Sequence, residues 1–198
     1  MSLKFDEENH IYTWNDKVVP SVTTVLQELN LVNFSNVPTG VLDRAQKWGK
    51  AVHKAIELIE KGKIDEKTLD AKLKPSINAW MRFKSDNNIV NKAIELPIYS
   101  NIYGYAGTID RVCFDKKTSE IYVVDIKTST SMPGRIAGLQ LAAYQQLWAE
   151  HSGEGVNKRL IVQLTPEGQY KVKEYKGMEE FNMFLNCLKV YHWKKRRK

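Results

Sequence analysis

Apolar and polar positions along the chain follow two periods, and the switches between them mark its elements. Over residues 41–61, Val41, Ala45, Trp48, Val52, Ala55, Ile56 and Ile59 recur at three- and four-residue spacing, which predicts an amphipathic helix. A second helical pattern starts at residue 69 or 75, buries Ile77, Trp80, Met81 and Phe83, and ends at Asn87-Asn88. A third spans 136–150 with Ile136, Leu139, Ala143 and Leu147 inward, and a fourth covers 178–190. A short helix begins at Ser21, which follows Pro20 and suits an N-cap.

Between these lie strand patterns. Residues 5–19 predict a hairpin turning at Asn15-Asp16. Residues 93–99 form a strand whose Pro97 favours a sheet edge. Residues 105–114 and 121–127 read as two strands joined by the polar turn Asp115-Lys116-Lys117-Thr118-Ser119. Two more strands, 158–165 and 169–174, flank Pro166-Glu167-Gly168. Loop signals fall at 33–40, 62–66, 128–134 and 151–157. The order predicts one α/β domain over 1–198, with a central mixed sheet from about 93 to 174 flanked by helices. Its parts are a mainly helical region (1–92), a sheet core (93–175) and a C-terminal helix with a basic tail (176–198).

Composition supports a single core: 198 residues, 42% hydrophobic and 27% charged. No apolar run approaches the roughly 20 residues a membrane helix needs, and the N-terminus lacks the apolar centre of a secretion signal. A cytoplasmic protein without membrane contact is the expectation. Two cysteines, Cys113 and Cys187, cannot build a secreted disulfide framework or supply four thiolates to an iron–sulfur cluster. Cys113, inside a strand, reads as a small buried hydrophobe. The formal net charge is +7, and the last five residues are all basic, so the tail holds most of the excess. Such a tail suits phosphate contacts or is a solvated terminus. Phosphate-loop, zinc-peptidase and serine-hydrolase motifs are absent, and there is no internal repeat.

The candidate chemistry sits on the hairpin 105–127. Asp125 and Lys127 are two residues apart on a strand and share one face. Asp110 interrupts an apolar run, between Ile109 and Val112, on the partner strand. Two carboxylates and a lysine on adjacent strands can hold a divalent cation beside an ammonium. Taken singly, Asp125 and Lys127 would be a surface ion pair worth ~0–1 kcal/mol.

In sequence order, G-T-I-D-R-V, V-V-D-I-K-T-S and Q-L-A-A-Y-Q resemble the PD-(D/E)XK nuclease superfamily, in its RecB-like exonuclease branch. Gly107 and Asp110 match its G-x-x-D element, Asp125-Ile126-Lys127 its D-x-K, and Gln140 and Tyr144 its Q-x-x-x-Y. His53, in W-G-K-A-V-H-K-A-I-E, fits the histidine that this branch carries on an upstream helix. The resemblance runs from about Arg44 to Trp148; Ile109 stands where the superfamily's name has proline.

The resemblance implies a restriction-endonuclease-like core and metal-dependent hydrolysis of DNA phosphodiesters, in recombination, repair or phage DNA processing. It implies Asp110, Asp125 and Lys127 as catalytic residues. His53, Asp110, Asp125 and the Ile126 carbonyl would ligate Mg²⁺ or Mn²⁺, the histidine leaning toward manganese. Glu95, Gln140 and Tyr144 would be accessory or substrate-binding, Glu95 being equally readable as an exposed edge-strand carboxylate. Some relatives carry an iron–sulfur cluster; this chain is expected to lack one. Phage-type members act with a single-strand annealing protein, and some form ring oligomers. Two other readings stay open: a non-catalytic DNA-binding or assembly module on the same fold, and a structure-specific endonuclease.

Overall fold

The structure, a computed structural model, describes residues 2–32 and 38–196. Most of the expected loop 33–40 and the last two residues of the basic tail therefore lie outside the described residues. Three short strands open the chain: β1 Leu3–Asp6, β2 Ile11–Trp14 and β3 Lys17–Val19, in the order β1-β2-β3. The β2–β3 turn falls at Asn15 and Asp16 as expected, both with positive φ (46° and 62°), which Asn and Asp tolerate best among non-glycines. β1 is a strand that the expected hairpin did not contain.

Helix α1 (Val22–Glu28) follows, with the Ser21 hydroxyl accepting from the Thr24 N–H at 3.1 Å. The two long helical patterns become α2 (Thr39–Glu60) and α3 (Lys74–Asp86). The second sheet is built from β4 (Ile89–Tyr99), β5 (Ala106–Asp115), β6 (Ile121–Lys127), β7 (Lys158–Leu164) and β8 (Tyr170–Glu174). Its order is β4-β5-β6-β7-β8, and every neighbouring pair is antiparallel except the parallel β6–β7. That parallel step needs a crossover, which α4 (Ile136–Ser152) supplies before Gly153 closes it at φ 74°. Pro97 lies on β4, an edge strand, as its missing N–H requires.

The sheet is covered on both faces. Val112, Val123 and Ile161 pack against α1, α4 and α5 (Glu180–Lys195). Tyr122, Val124, Ile126, Leu160 and Val162 pack against α2 and α3. Successive β6 residues thus go to opposite helical layers, the period-2 rule applied to a strand buried on both sides. Helix α4 is not amphipathic as its pattern suggested. Leu139, Leu141, Ala142, Ala143, Tyr144, Leu147 and Trp148 surround it with buried side chains, because sheet and α5 enclose it from different sides.

Helix α5 is longer than the expected 178–190. It takes in Tyr191-His192-Trp193 and the first tail lysines, and Lys194 and Lys195 reach the end of α1 at the Glu28 carbonyl and carboxylate, each at 2.8 Å. Cys113 is fully buried as expected. Among the described residues, no helix is long and apolar enough to cross a membrane.

Candidate active site

The site forms where β5 and β6 separate. Their paired residues run from Phe114↔Ile121 to Arg111↔Val124. Beyond that point the Asp110 carboxylate takes over, its Oδ2 accepting from the Ile126 N–H at 2.9 Å. The metal-binding type of side chain thereby satisfies a backbone donor and is itself fixed in place.

His53, in the third turn from the C-terminal end of α2, meets this strand end from the α2 layer. Its Nε2 lies 2.9 Å from the Ile126 carbonyl, which can only accept, so Nε2 carries the proton. Nδ1 then faces two carboxylates, Glu95 Oε1 at 3.5 Å and Asp110 Oδ2 at 3.6 Å. Donor atoms of His53, Glu95 and Asp110 all lie within 4.8 Å of one another. Ligands about 2.1 Å from an octahedral ion are separated by about 3 Å when adjacent and about 4.2 Å when opposite, so this set fits a small divalent cation with little adjustment. A ligating histidine commonly donates its other N–H to a backbone carbonyl, which is the role Ile126 plays here.

Asp125 and Lys127 point into the opposite layer. Asp125 is 2% exposed, and Lys127 Nζ lies 3.0 Å from its Oδ1 and 2.8 Å from its Oδ2. The Oδ2 contact is an ion pair without hydrogen-bond angles. From α4, Gln140 Nε2 donates to Asp125 Oδ1 at 3.1 Å and to the Tyr144 hydroxyl at 3.2 Å. Tyr144 comes this close to the sheet because Gly107 has no side chain: a Cβ there would sit 2.8 Å from the Tyr144 ring. The G-x-x-D glycine is therefore a packing requirement of the Q-x-x-x-Y tyrosine.

Electrostatics bind the two halves together. Burial pushes the Asp110 carboxyl up, with His53 opposing and Glu95 adding to the shift. Burial also raises Asp125, against the pull of Lys127 and with the push of Asp110. Burial works against the imidazolium of His53, but Asp110 and Glu95 outweigh it and push its pKa up to about 9. For Lys127 burial is likewise outweighed, by Asp125 and Asp110, so the ammonium is held charged. Crowded, desolvated carboxylates of this kind are relieved by a cation.

The structure thus brings together His53, Glu95, Asp110 and the Ile126 carbonyl on one side, and Asp125, Lys127, Gln140 and Tyr144 on the other. Two arrangements differ from expectation. Glu95 joins the cation-ligand cluster, whereas Asp125 is turned to Lys127 and Gln140; and the Ile126 carbonyl is engaged by His53. Three residues were missed. Arg111 is a fully buried charge bonded to Glu60 and Glu95, at 2.6 and 2.9 Å. Its only sequence signal is a charge inside an apolar strand. Glu60 showed none, being the last residue of an ordinary helix. Tyr12 bonds the Thr108 hydroxyl at 2.7 Å and ties the small sheet to the strand that carries Asp110.

A family model described as the PD-(D/E)XK nuclease superfamily matches residues 77–189, more than half of the chain. The chain belongs to that superfamily, and the restriction-endonuclease-like fold follows. The match spans Glu95, Asp110, Asp125, Lys127, Gln140 and Tyr144 but not His53. Among solved structures, a candidate exonuclease from Eubacterium rectale superposes with TM-score 0.50 at 13% identity, over 76% of this chain and 66% of that one. At that identity it speaks for the fold alone. The protein SSO0001 is similar at TM-score 0.38 and 20% identity, over 58% of this chain and 54% of that one. The chain therefore spans just under two thirds of the first of these and about half of the second. No curated protein matches it.

Proposed function

We propose that this chain is a Mg²⁺- or Mn²⁺-dependent deoxyribonuclease that degrades DNA from its ends. The observation that carries the proposal is the convergence of His53, Glu95 and Asp110 beside the buried Asp125–Lys127 pair. An oxygen-rich set with one imidazole suits either ion. When bound, the cation supplies Lewis-acid polarisation of the scissile phosphate and a more acidic water.

The chain's own residues do the rest. Asp125, held by Gln140, keeps Lys127 charged and aimed, so its ammonium can orient the attacking water or stabilise charge growing on the phosphate. Asp110 and Glu95 set the negative field of the site, and the Ile126 carbonyl fixes the tautomer and orientation of His53. Tyr144, one turn beyond Gln140, is buried against Gly107, and its hydroxyl accepts from Gln140 Nε2, which helps hold that amide on Asp125.

Support for end-dependence comes from the RecB-like resemblance. A role in recombination, repair or phage DNA processing in the cytoplasm belongs to the same proposal, as do an annealing partner and a homo-oligomer. The test uses linear and covalently closed circular DNA with wild type and Asp110→Ala, in Mg²⁺, Mn²⁺ or EDTA. Loss of linear DNA only, abolished by EDTA and by the substitution, is the expected result. Cleavage of the closed circle would make the protein an endonuclease. DNA binding without cleavage under any metal would make it a non-catalytic module.

A further inference from the structure

Arg111 lies beneath the cation-ligand cluster and has no part in the chemistry argued above. Its side chain is 0% exposed. One nitrogen, Nη1, donates both to Glu95 Oε1 at 2.9 Å and to the main-chain oxygen of Asp110 at 2.6 Å. It thus links the carboxylate of β4 to the backbone of β5 that carries the other acid. A second nitrogen is anchored away from the site, Nε donating to Glu60 Oε2 at 2.6 Å, while Nη2 is buried with no hydrogen-bond partner among the described residues. Glu60 is itself locked from α3, its Oε1 accepting from Trp80 Nε1 and Lys84 Nζ, both at 2.8 Å.

The backbone supplies an independent observation. Glu95 has φ 46° in the middle of β4, between Ile94, paired with Arg111, and Leu96, paired with Ile109. A left-handed non-glycine residue inside a strand is strained and persists only where its surroundings hold it. The reversal turns the carboxylate toward His53 and Arg111. A guanidinium that merely knitted α2 and α3 to the sheet would need Glu60 but neither Glu95 nor a reversed backbone.

We propose that Arg111 is a positioning residue that holds Glu95 and Asp110 at cation-binding spacing, making Glu95 an oxygen ligand of the site. The inference rests on the nuclease reading above. The fork geometry is essential to it, because a lysine ammonium cannot reach Glu60, Glu95 and a main-chain oxygen along fixed directions.

The test is Mn²⁺ affinity without DNA, read from the free-Mn²⁺ electron paramagnetic resonance signal. It compares wild type, Arg111→Lys, Glu95→Gln and the double variant, with near-ultraviolet circular dichroism as the check on folding. Each single substitution is expected to weaken Mn²⁺ binding about tenfold or more, the usual effect of losing a ligand's partner. The double variant should be no weaker than the weaker single, since both remove one contact. Wild-type Mn²⁺ affinity in Arg111→Lys, or a fully additive double variant, would overturn the proposal. Should Arg111→Lys not fold, Glu60→Gln releases the guanidinium from α2 while keeping its shape. Unchanged Mn²⁺ affinity in that variant also overturns the proposal, and a several-fold loss supports it. Separate readouts distinguish the failures. A wild type that cleaves linear DNA while Arg111→Lys binds Mn²⁺ normally sinks the positioning role alone; a wild type that neither binds Mn²⁺ nor cleaves sinks the nuclease reading with it.

Discussion

The His53 imidazole gives its Nε2 proton to the Ile126 carbonyl at 2.9 Å and so presents Nδ1 to Glu95 and Asp110. Helix α2 is thereby joined to the end of β6 by one hydrogen bond, and the ring's remaining nitrogen faces the acids. Replacing His53 by alanine should cost about 10- to 100-fold in Mn²⁺ affinity. The check is thermal: Mn²⁺ should raise the Tm of the wild type, because a ligand that binds only the native state stabilises it. His53→Ala should need much higher Mn²⁺ for the same rise. An equal rise in both proteins at equal Mn²⁺ would remove His53 from the site.

Lys127 is one residue beyond that carbonyl, on the other face of β6. If its ammonium acts on charge that develops during hydrolysis, Lys127→Met should lower kcat about 10²- to 10³-fold with little change in KM. Asp125→Asn should show a similar loss, since it removes the group that keeps Lys127 charged and aimed. Single-turnover cleavage of end-labelled duplex at saturating metal reads the step directly. A change confined to KM would assign both residues to substrate binding instead.

Gly107 gives a stability prediction with a cause that can be tested by repair. A methyl group there meets the Tyr144 ring at 2.8 Å and Leu147 Cδ1 at 3.2 Å. Gly107→Ala should cost about 1–3 kcal/mol, the range for overpacking, measured by urea denaturation. Combining it with Tyr144→Leu should recover part of the loss, because the closest contact is with the ring. If the double variant showed the sum of two independent losses, the clash would not be the cause.

Asp115, at the other end of the central hairpin, predicts a pH effect remote from the cation site. The Tyr122 hydroxyl, at 2.8 Å, and the Lys117 N–H hold its carboxyl down to about 2. A depressed native pKa means that the unfolded chain takes up its proton first, near 3.8, on acidification. The stabilisation is therefore complete above pH 3.8 and falls as pH drops from there toward 2. Asp115→Asn should flatten the Tm profile in that window and leave its shape above pH 5 unchanged.

Much of this architecture was legible as pattern. The spacing of Val52, Ala55, Ile56 and Ile59 announced α2, the Asn15-Asp16 pair its hairpin turn, and Pro97 the edge position of β4. The pairing of Asp125 with Lys127 followed from the period of a strand, and the order of Gly107, Asp110, Asp125, Gln140 and Tyr144 pointed to one nuclease family. These readings succeed because each depends on a backbone period or on residues a few positions apart.

Other features had no local signal. Helix α4 looked one-sided but is enclosed, because what covers a helix depends on elements far along the chain. Glu95 could be read equally as an accessory residue or as an exposed edge-strand carboxylate, and what decides its place is the register shift between β4 and β5 at Asn91/Ala93 together with its own reversed φ. Arg111 and Glu60 are 51 positions apart, and only the packing of α2 and α3 on one sheet face brings them together. The sequence thus specified which chemical groups the chain carries and along which strand or helix face each points. Which of them converge was set by strand register, one left-handed residue and a buried ion pair, all products of contacts between distant segments.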